Sequence, residues 1–548
     1  MKPKIFFVAG MLLLAASAGA QSQLTNAQQL LQQGKIEAAL VELRQAAANF
    51  PKDHLAWFWL GEAYLQAAKT DSALFAGKRI LAINDKLAEG YVLIAQAQLA
   101  QKDFAAAKNT LQAGFKFNQQ NADLFRLHGE ALVASDSLEK AIVAFARATK
   151  AAPKDSRAYE ALGDIYMRQG GAIMAIMQYE KALALDSTQA NLLHKLAKSY
   201  VGERQYNEAA RAYQRLVKLD TANQVAAFEL AKLYFAAKQY PKTVPLLQSY
   251  VRLHPSSLEA WSMYVESLYF GKQYQEVPEV APKLLELQPN STKTLRMLAH
   301  AYFELRDFEQ VIATYQQVGR QEALTGEEFK RLGRSYHETK RDSLAANAYE
   351  EALRLGVSGA ELYSELGAIY MRARQFDKAA AMFEKRFLRD STVTSAYVNY
   401  ALSNMALGKW ELARIALYRA LKLKPDYVSG HLFLARTLSQ MDSLSRARKE
   451  CEAVVKLAGE GNEYKAELAE AHGLIGFTLL LEKKYPEAVE PLKISIRYKN
   501  DNPQTHLWLA QTFALTNRQD EAVAEYKIVL KLDPKNKEAK KNLALIEQ

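Results

Sequence analysis

A compact chain of 548 residues would divide into several cores of ~100–200 residues, and one cysteine, Cys451, excludes any intramolecular disulfide. The formal charge of +11 is spread along the chain with no run of five or six like charges, which describes solvated helix faces and argues against nucleic acid as the partner. The first twenty residues stand apart. Lys2 and Lys4 precede an uncharged apolar run at 5–16, followed by Ala18-Gly19-Ala20. A basic start, a short apolar run and an A-x-A end form a secretory signal peptide, with cleavage expected after Ala20. The run falls short of the ~20 residues that a spanning helix needs, and no cysteine follows for lipid attachment. Removal of the leader lowers the charge to +9 and places the chain in the periplasm or outside the cell. No later stretch is long and apolar enough to span a membrane.

From Gln21 onward the sequence beats every 34 residues. Repeats begin at 20, 54, 88, 122, 156, 190, 224, 258, 292, 326, 360, 394 and 428 without insertion, and two more begin at 469 and 503. Slot 8 is Gly or Ala in fourteen of the fifteen, Val265 being the exception. Slot 20 is Ala in twelve, the exceptions being Thr243, Val277 and Val311. Small residues at these slots let two helices approach closely, while larger residues at slots 4, 7, 11 and 24 fill the surrounding space. Apolar spacing of three and four predicts two amphipathic helices per repeat. The pairs Asp71-Ser72, Asp136-Ser137, Asp342-Ser343 and Asp442-Ser443 stand where second helices should start and are expected to cap them. Pro51, Pro153, Pro255, Pro289, Pro425 and Pro534 share the slot where second helices should end. Repeats 7 to 9 lose the slot-20 alanine, and Pro245 and Pro282 fall inside predicted second helices, so the middle is expected to be less regular. Seven extra residues around 462–468 are close to two helical turns, and 463–472 is expected to be one lengthened, protruding helix. Residues 535–548 put Ala539, Leu543 and Ile546 on one face and lysines on the other, a capping helix.

Trp57, Leu60, Gly61, Tyr64 and Ala73, and again Tyr159, Leu162, Gly163, Tyr166, Ala175, Tyr179 and Ala182, carry a resemblance to the tetratricopeptide repeat family. It covers about 21–534. The resemblance implies an all-α, right-handed superhelical solenoid whose first helices line a concave groove, a role in binding proteins or peptides, and no catalysis. It further implies that slots 2, 5, 9, 12 and 13 face the groove. Those slots hold Glu62, Glu89, Asp123, Glu130, Glu160 and Asp164 in repeats 2 to 5, among Arg126, Arg157 and Arg168. From repeat 6 the sign changes. The candidate partner-binding residues are Lys198, Phe228, Lys232, Phe235, Tyr269, Lys293, Arg296, Phe303, Lys330 and Arg334, with His194, His300, His337 and Phe270 beside them. Cations beside aromatic rings suit an extended acidic peptide or an acidic polymer such as a polysaccharide. No slot 9 is asparagine, which separates the chain from the family's carboxylate clamps and from its asparagine-ladder sugar transferases.

Chemical motifs are absent. The sequence contains no G-x-x-x-x-G-K-[ST], H-E-x-x-H, C-x-x-C or G-x-S-x-G, so no catalytic residue, cofactor or metal site is expected. His128, His431, His472 and His506 occupy slots that normally pack against a neighbour and read as structural histidines. Cys451 takes a slot that holds Tyr179, Tyr213 or Phe383 in other repeats and reads as a small buried hydrophobe. The expected function is an exported scaffold or adaptor of the cell envelope. The alternatives are a periplasmic repeat component of polysaccharide export or outer-membrane assembly, and a carbohydrate-binding protein or enzyme with its site in repeats 7 to 9.

Overall fold

The computed structural model describes residues 18–459 and 462–547, so the signal-peptide expectation rests almost wholly on residues outside those described. Among the described residues there are helices and no strand. Every first helix of repeats 2 to 13 begins on slot 1 and runs thirteen residues, from His54–Gln66 to Val428–Gln440. The reason is chemical punctuation at slot 34. Asp53, Asn121, Asp155, Asn223, Ser257, Ser291 and Thr325 each accept a hydrogen bond from an otherwise orphan amide of the first turn that follows. Second helices stop two residues before Pro51, Pro153, Pro255, Pro289, Pro425 and Pro534.

The turn between first and second helix is the same throughout. Slot 15 has a positive φ in all fifteen repeats, held by glycine only at Gly34, Gly170 and Gly408. At Ala68 (φ 56°) the amide donates to Leu65 O at 3.0 Å and the next amide, Lys69 N, donates to Tyr64 O at 2.8 Å. This left-handed closure satisfies the last carbonyls of the first helix. It also corrects the capping expectation for the Asp-Ser pairs. Asp136 and Asp442 are themselves the left-handed residue, Ser137 and Ser443 make no cap hydrogen bond, and Asp71 and Asp342 lie inside the first turn of the second helix.

Slot 8 works as its size suggests. A Cβ placed on Gly129, Gly163, Gly333 or Gly367 would lie 2.6, 2.5, 2.7 or 2.9 Å from the slot-24 ring of the same repeat, Phe145, Tyr179, Tyr349 or Phe383. The slot-20 substitutes Thr243, Val277 and Val311 are fully buried. The second helix of repeat 8, Val277–Leu287, begins three slots late and has eleven residues, which is the irregularity expected there. Pro245 and Pro282 sit within helices that continue past them. The insertion departs from expectation in its boundary. The preceding helix ends at Ala458, Gly459 turns with φ +61°, Asn462–Tyr464 forms a 3-10 turn, and the lengthened helix starts only at Lys465 and ends at Leu481.

The chain forms two compact units that divide after Lys272. In the first, the core is a seam through repeats 1 to 7 that includes Leu40, Trp59, Leu93, Phe145, Tyr179 and Tyr213. In the second, Tyr315, Tyr349, Phe383, Leu417, Cys451 and Tyr526 mark the seam, and Leu543 and Ile546 of the C-terminal helix pack on its last cluster.

Candidate partner surface on the first helices

At several interfaces first-helix side chains meet a counterpart one repeat away in an ion pair. In the first unit Arg157 Nη2 lies 3.1 Å from Asp123 Oδ1, and Lys195 Nζ lies 2.8 Å from Glu160 Oε1 and 2.7 Å from Asp164 Oδ2. Arg126, only 8% exposed, donates to Asp123 at 3.0 Å and pairs with Glu130. Burial raises the Glu62 carboxyl, an effect that Gln96, Arg126 and Arg157 only partly oppose. Burial would raise Asp155 too, but the hydrogen bond and charge of Arg157 outweigh it and hold Asp155 low. In the second unit Arg296 Nη1 donates to Glu328 Oε1 at 2.6 Å while its Nη2 reaches Glu322 and the Ala323 carbonyl, and Arg334 pairs with Glu338, Glu361 and Glu365. Arg436 pairs with Glu470 in the same way.

The ten residues proposed from the sequence therefore fall into groups. Lys198 is exposed and forms no ion pair among the described residues. Phe228 is stacked on Tyr250 with ring centres 4.3 Å apart, and Lys232 lies over it at 5.2 Å while pairing with Glu229. Phe235 and Tyr269 are joined through two residues outside the original set of ten. Tyr240 meets Phe235 edge-on at 6.0 Å and stacks on Phe270 at 5.8 Å, and Phe270 meets Tyr269 at 5.2 Å. Phe270 is 49% exposed. These residues belong to the first unit.

In the second unit, Phe303, Lys330 and Arg334 line one cavity of about 250 Å³ together with His300, Arg331 and Glu365. Burial first, and then the Arg331 charge, hold His300 below its ordinary value against the pull of Glu304. Lys293 is exposed at the start of its helix. Arg296 does not join the cavity. It is committed to Glu328, which is 7% exposed and also closes a capping box with Thr325. Sequence reasoning missed Tyr240 and the carboxylate partners. The signal was present, because Asp123 and Arg157, or Glu160 and Lys195, are opposite charges about one repeat apart.

Elsewhere, His431 and His506 are structural, each hydrogen-bonded between a glutamate and a backbone carbonyl. Cys451 is buried, and burial with nearby Glu470 and Glu450 pushes its thiol up to about 12. Among the described residues no group of three or more His, Cys, Asp or Glu could hold a metal ion, and no helix is long and apolar enough to cross a membrane.

The tetratricopeptide repeat family model matches residues 24–88, 126–190, 194–258 and 364–428. The chain is a tetratricopeptide repeat protein. Such repeats form all-α scaffolds that bind proteins or peptides and are generally not catalytic. The uncharacterized protein ycf37 of Cyanophora paradoxa is 27% identical over 162 residues, 29% of this repeat protein and 90% of its own length. Cellulose synthase operon protein C of Escherichia coli (strain K12) is 32% identical over 149 residues, a match spanning 27% of this chain and 12% of that protein. Among solved structures, the APC/C hetero-tetramer Cut9-Hcn1 covers 90% of this chain and 96% of its own at 14% identity, with a TM-score of 0.33. The C-terminal part of a TPR repeat-containing protein from Cytophaga hutchinsonii covers 51% and 98% at 21% identity, with a TM-score of 0.32.

Proposed function

We propose that this repeat protein is an exported scaffold of the cell envelope whose first helices hold an extended protein or peptide segment. The observation that carries the reading is the run Phe235, Tyr240, Phe270 and Tyr269, four rings in mutual contact that form a continuous aromatic surface left half-open at Phe270. The cavity at Phe303, Lys330 and Arg334 supports the same reading. At about 250 Å³ it is smaller than the ~300–1,000 Å³ of pockets for drug-sized ligands, and it would take one side chain of an extended partner. The internal pairing of Arg296, Arg334 and Lys232 shifts the weight of the site from charge to aromatic contact. The leader at 1–20 supports export.

Capture from envelope extract with the mature chain, partners being identified by mass, tests the reading. Intact mass of the chain from the periplasmic fraction should begin at Gln21, and the pair Phe235→Ala and Phe270→Ala should release the captured partner faster. A retained leader would refute export. Capture unchanged in the double variant would refute the aromatic site. The local similarity to cellulose synthase operon protein C favours a second reading, a repeat component of polysaccharide export. Release of the partner by soluble polysaccharide would select it.

A further inference from the structure

A second cationic surface of the first unit lies between second helices. Between the second helices of repeats 3 and 4, Phe104–Phe115 and Leu138–Ala151, a recess of about 840 Å³ opens onto the first helix Ala122–Ala134. Lys108, Lys140 and Arg147 stand on its walls, Phe115 and Phe125 on its floor, and no carboxylate lines it. Among the described residues none of the three cations forms an ion pair, in contrast to Arg126, Arg157, Lys195, Arg296 and Arg334 in the rungs above, each of which faces a carboxylate.

The same slots elsewhere in this chain show what is missing. Slot 19 holds Lys140 here and Lys378 in repeat 11, where Glu350 at slot 25 of the preceding repeat pairs with it at 3.0 Å. Slot 25 of repeat 3 is Gln112, which carries no charge. Slot 21 holds Lys108 here and Arg448 in repeat 13, where Glu482 at slot 14 of the following repeat pairs with it at 2.9 Å. Slot 14 of repeat 4 is Ser135. Both neutralising carboxylates are thus replaced at one interface, and the cations are left facing a common space. Burial, together with the charges of Lys108 and Arg147, holds His128 below its ordinary value, so the wall adds a neutral ring.

We propose that this recess docks an acidic peptide segment that carries an apolar anchor side chain. The partner's carboxylates take the places of the absent glutamates, and its anchor meets the floor. The floor favours a peptide over an acidic glycan. Phe125 has Phe115 against it at 4.9 Å and the Arg147 guanidinium over it at 5.9 Å, so it offers no bare ring face on which a sugar could stack. Val143, 54% exposed, and Leu132 complete an aliphatic edge suited to a side chain.

The test is fluorescence anisotropy of the full mature chain with short labelled peptides in which Asp and Glu flank a Leu-Phe pair, against the same peptides with Asn and Gln instead. The acidic peptide should bind and the neutral one should not. Gln112→Glu, which rebuilds the rung seen at Glu350 and Lys378, should weaken binding about tenfold, and so should Lys108→Glu with Arg147→Glu, at unchanged circular dichroism. Phe235→Ala with Phe270→Ala should leave this binding unchanged, which separates it from the first-helix surface. The proposal is overturned by equal binding of both peptides, by no binding, by affinity that only the Phe235 and Phe270 changes reduce, or by a uronic-acid oligomer that binds in preference with the same response to Gln112→Glu.

Discussion

Slot 15 is where single residues work against their own preferences. Twelve non-glycine residues there hold a left-handed φ, six of them between 55° and 58°, a conformation that costs an L-residue roughly 1–2 kcal/mol before its surroundings compensate. Gly170 has φ +78° and open space where a Cβ would stand, so Gly170→Ala isolates the backbone term. It should destabilise repeat 5 by about 1 kcal/mol, and Lys238→Gly should shift repeat 7 in the opposite direction. Hydrogen exchange of the two repeats measures both, and equal protection in all three proteins would show that the turn carries no strain. A second residue-scale effect is electrostatic. His431 Nδ1 lies 2.6 Å from Glu450 Oε2, and that hydrogen bond raises the imidazole above its ordinary value against the opposing effect of burial. A raised folded value means that the stabilisation is complete below the unfolded value of about 6.5 and is lost as pH rises through the folded value. The stability advantage of the wild type over His431→Gln should therefore be largest below about pH 6.5 and shrink above it, as read from urea unfolding at a series of pH values. An advantage that grows with pH would contradict the pairing.

At the scale of the helix, what could be read from the sequence was what repeats in residue type. Slots 8, 20 and 32 carry small residues and proline, so the close contact and the helix ends were both legible and the first helices fall on slot 1. Slot 15 was not legible, because its residues are mostly Lys and Arg and nothing in their chemistry announces a left-handed turn. The Asp-Ser pairs misled for a related reason. They are good capping residues, but the closure at slot 15 already satisfies the end of the preceding helix and places Asp136 and Asp442 in the turn itself. The helix around the insertion began later than its apolar pattern suggested, because Gly459 breaks the run and the 3-10 turn at Asn462–Tyr464 uses up part of the added length. Of the candidate site, the residue types are readable from the sequence but their pairing is not, since Arg296 and Arg334 face carboxylates of the next repeat. A single helix does not reveal this. The pairing partner lies about one repeat away, and only the stacking of first helices brings Arg296 to Glu328.

At the scale of the whole molecule, each repeat is held by its neighbours, so damage to one should stay near it. Gly163 is the place to test this. Its Cα stands so close to Tyr179 that a Cβ would fall 2.5 Å from the ring, and both residues belong to a buried interior. In the next repeat the same slots hold Ala197 and Tyr213 in one cluster, so a single methyl is accommodated by a small shift of the ring. A leucine is not, and Gly163→Leu should cost ~1–3 kcal/mol by overpacking while Gly163→Ala costs clearly less. Hydrogen exchange should then rise across Ser156–Arg168 and Ala172–Leu185, less in the adjoining repeats, and not at all in distant helices such as Ala360–Arg372. A globally cooperative fold would instead lose protection evenly, and an equal rise at Ala360–Arg372 would rule out the nearest-neighbour account. The distinction bears on function as well, since a scaffold whose repeats fail one at a time can lose one docking surface, such as the recess at Lys108 and Arg147, while the aromatic run at Phe235 and Phe270 still binds.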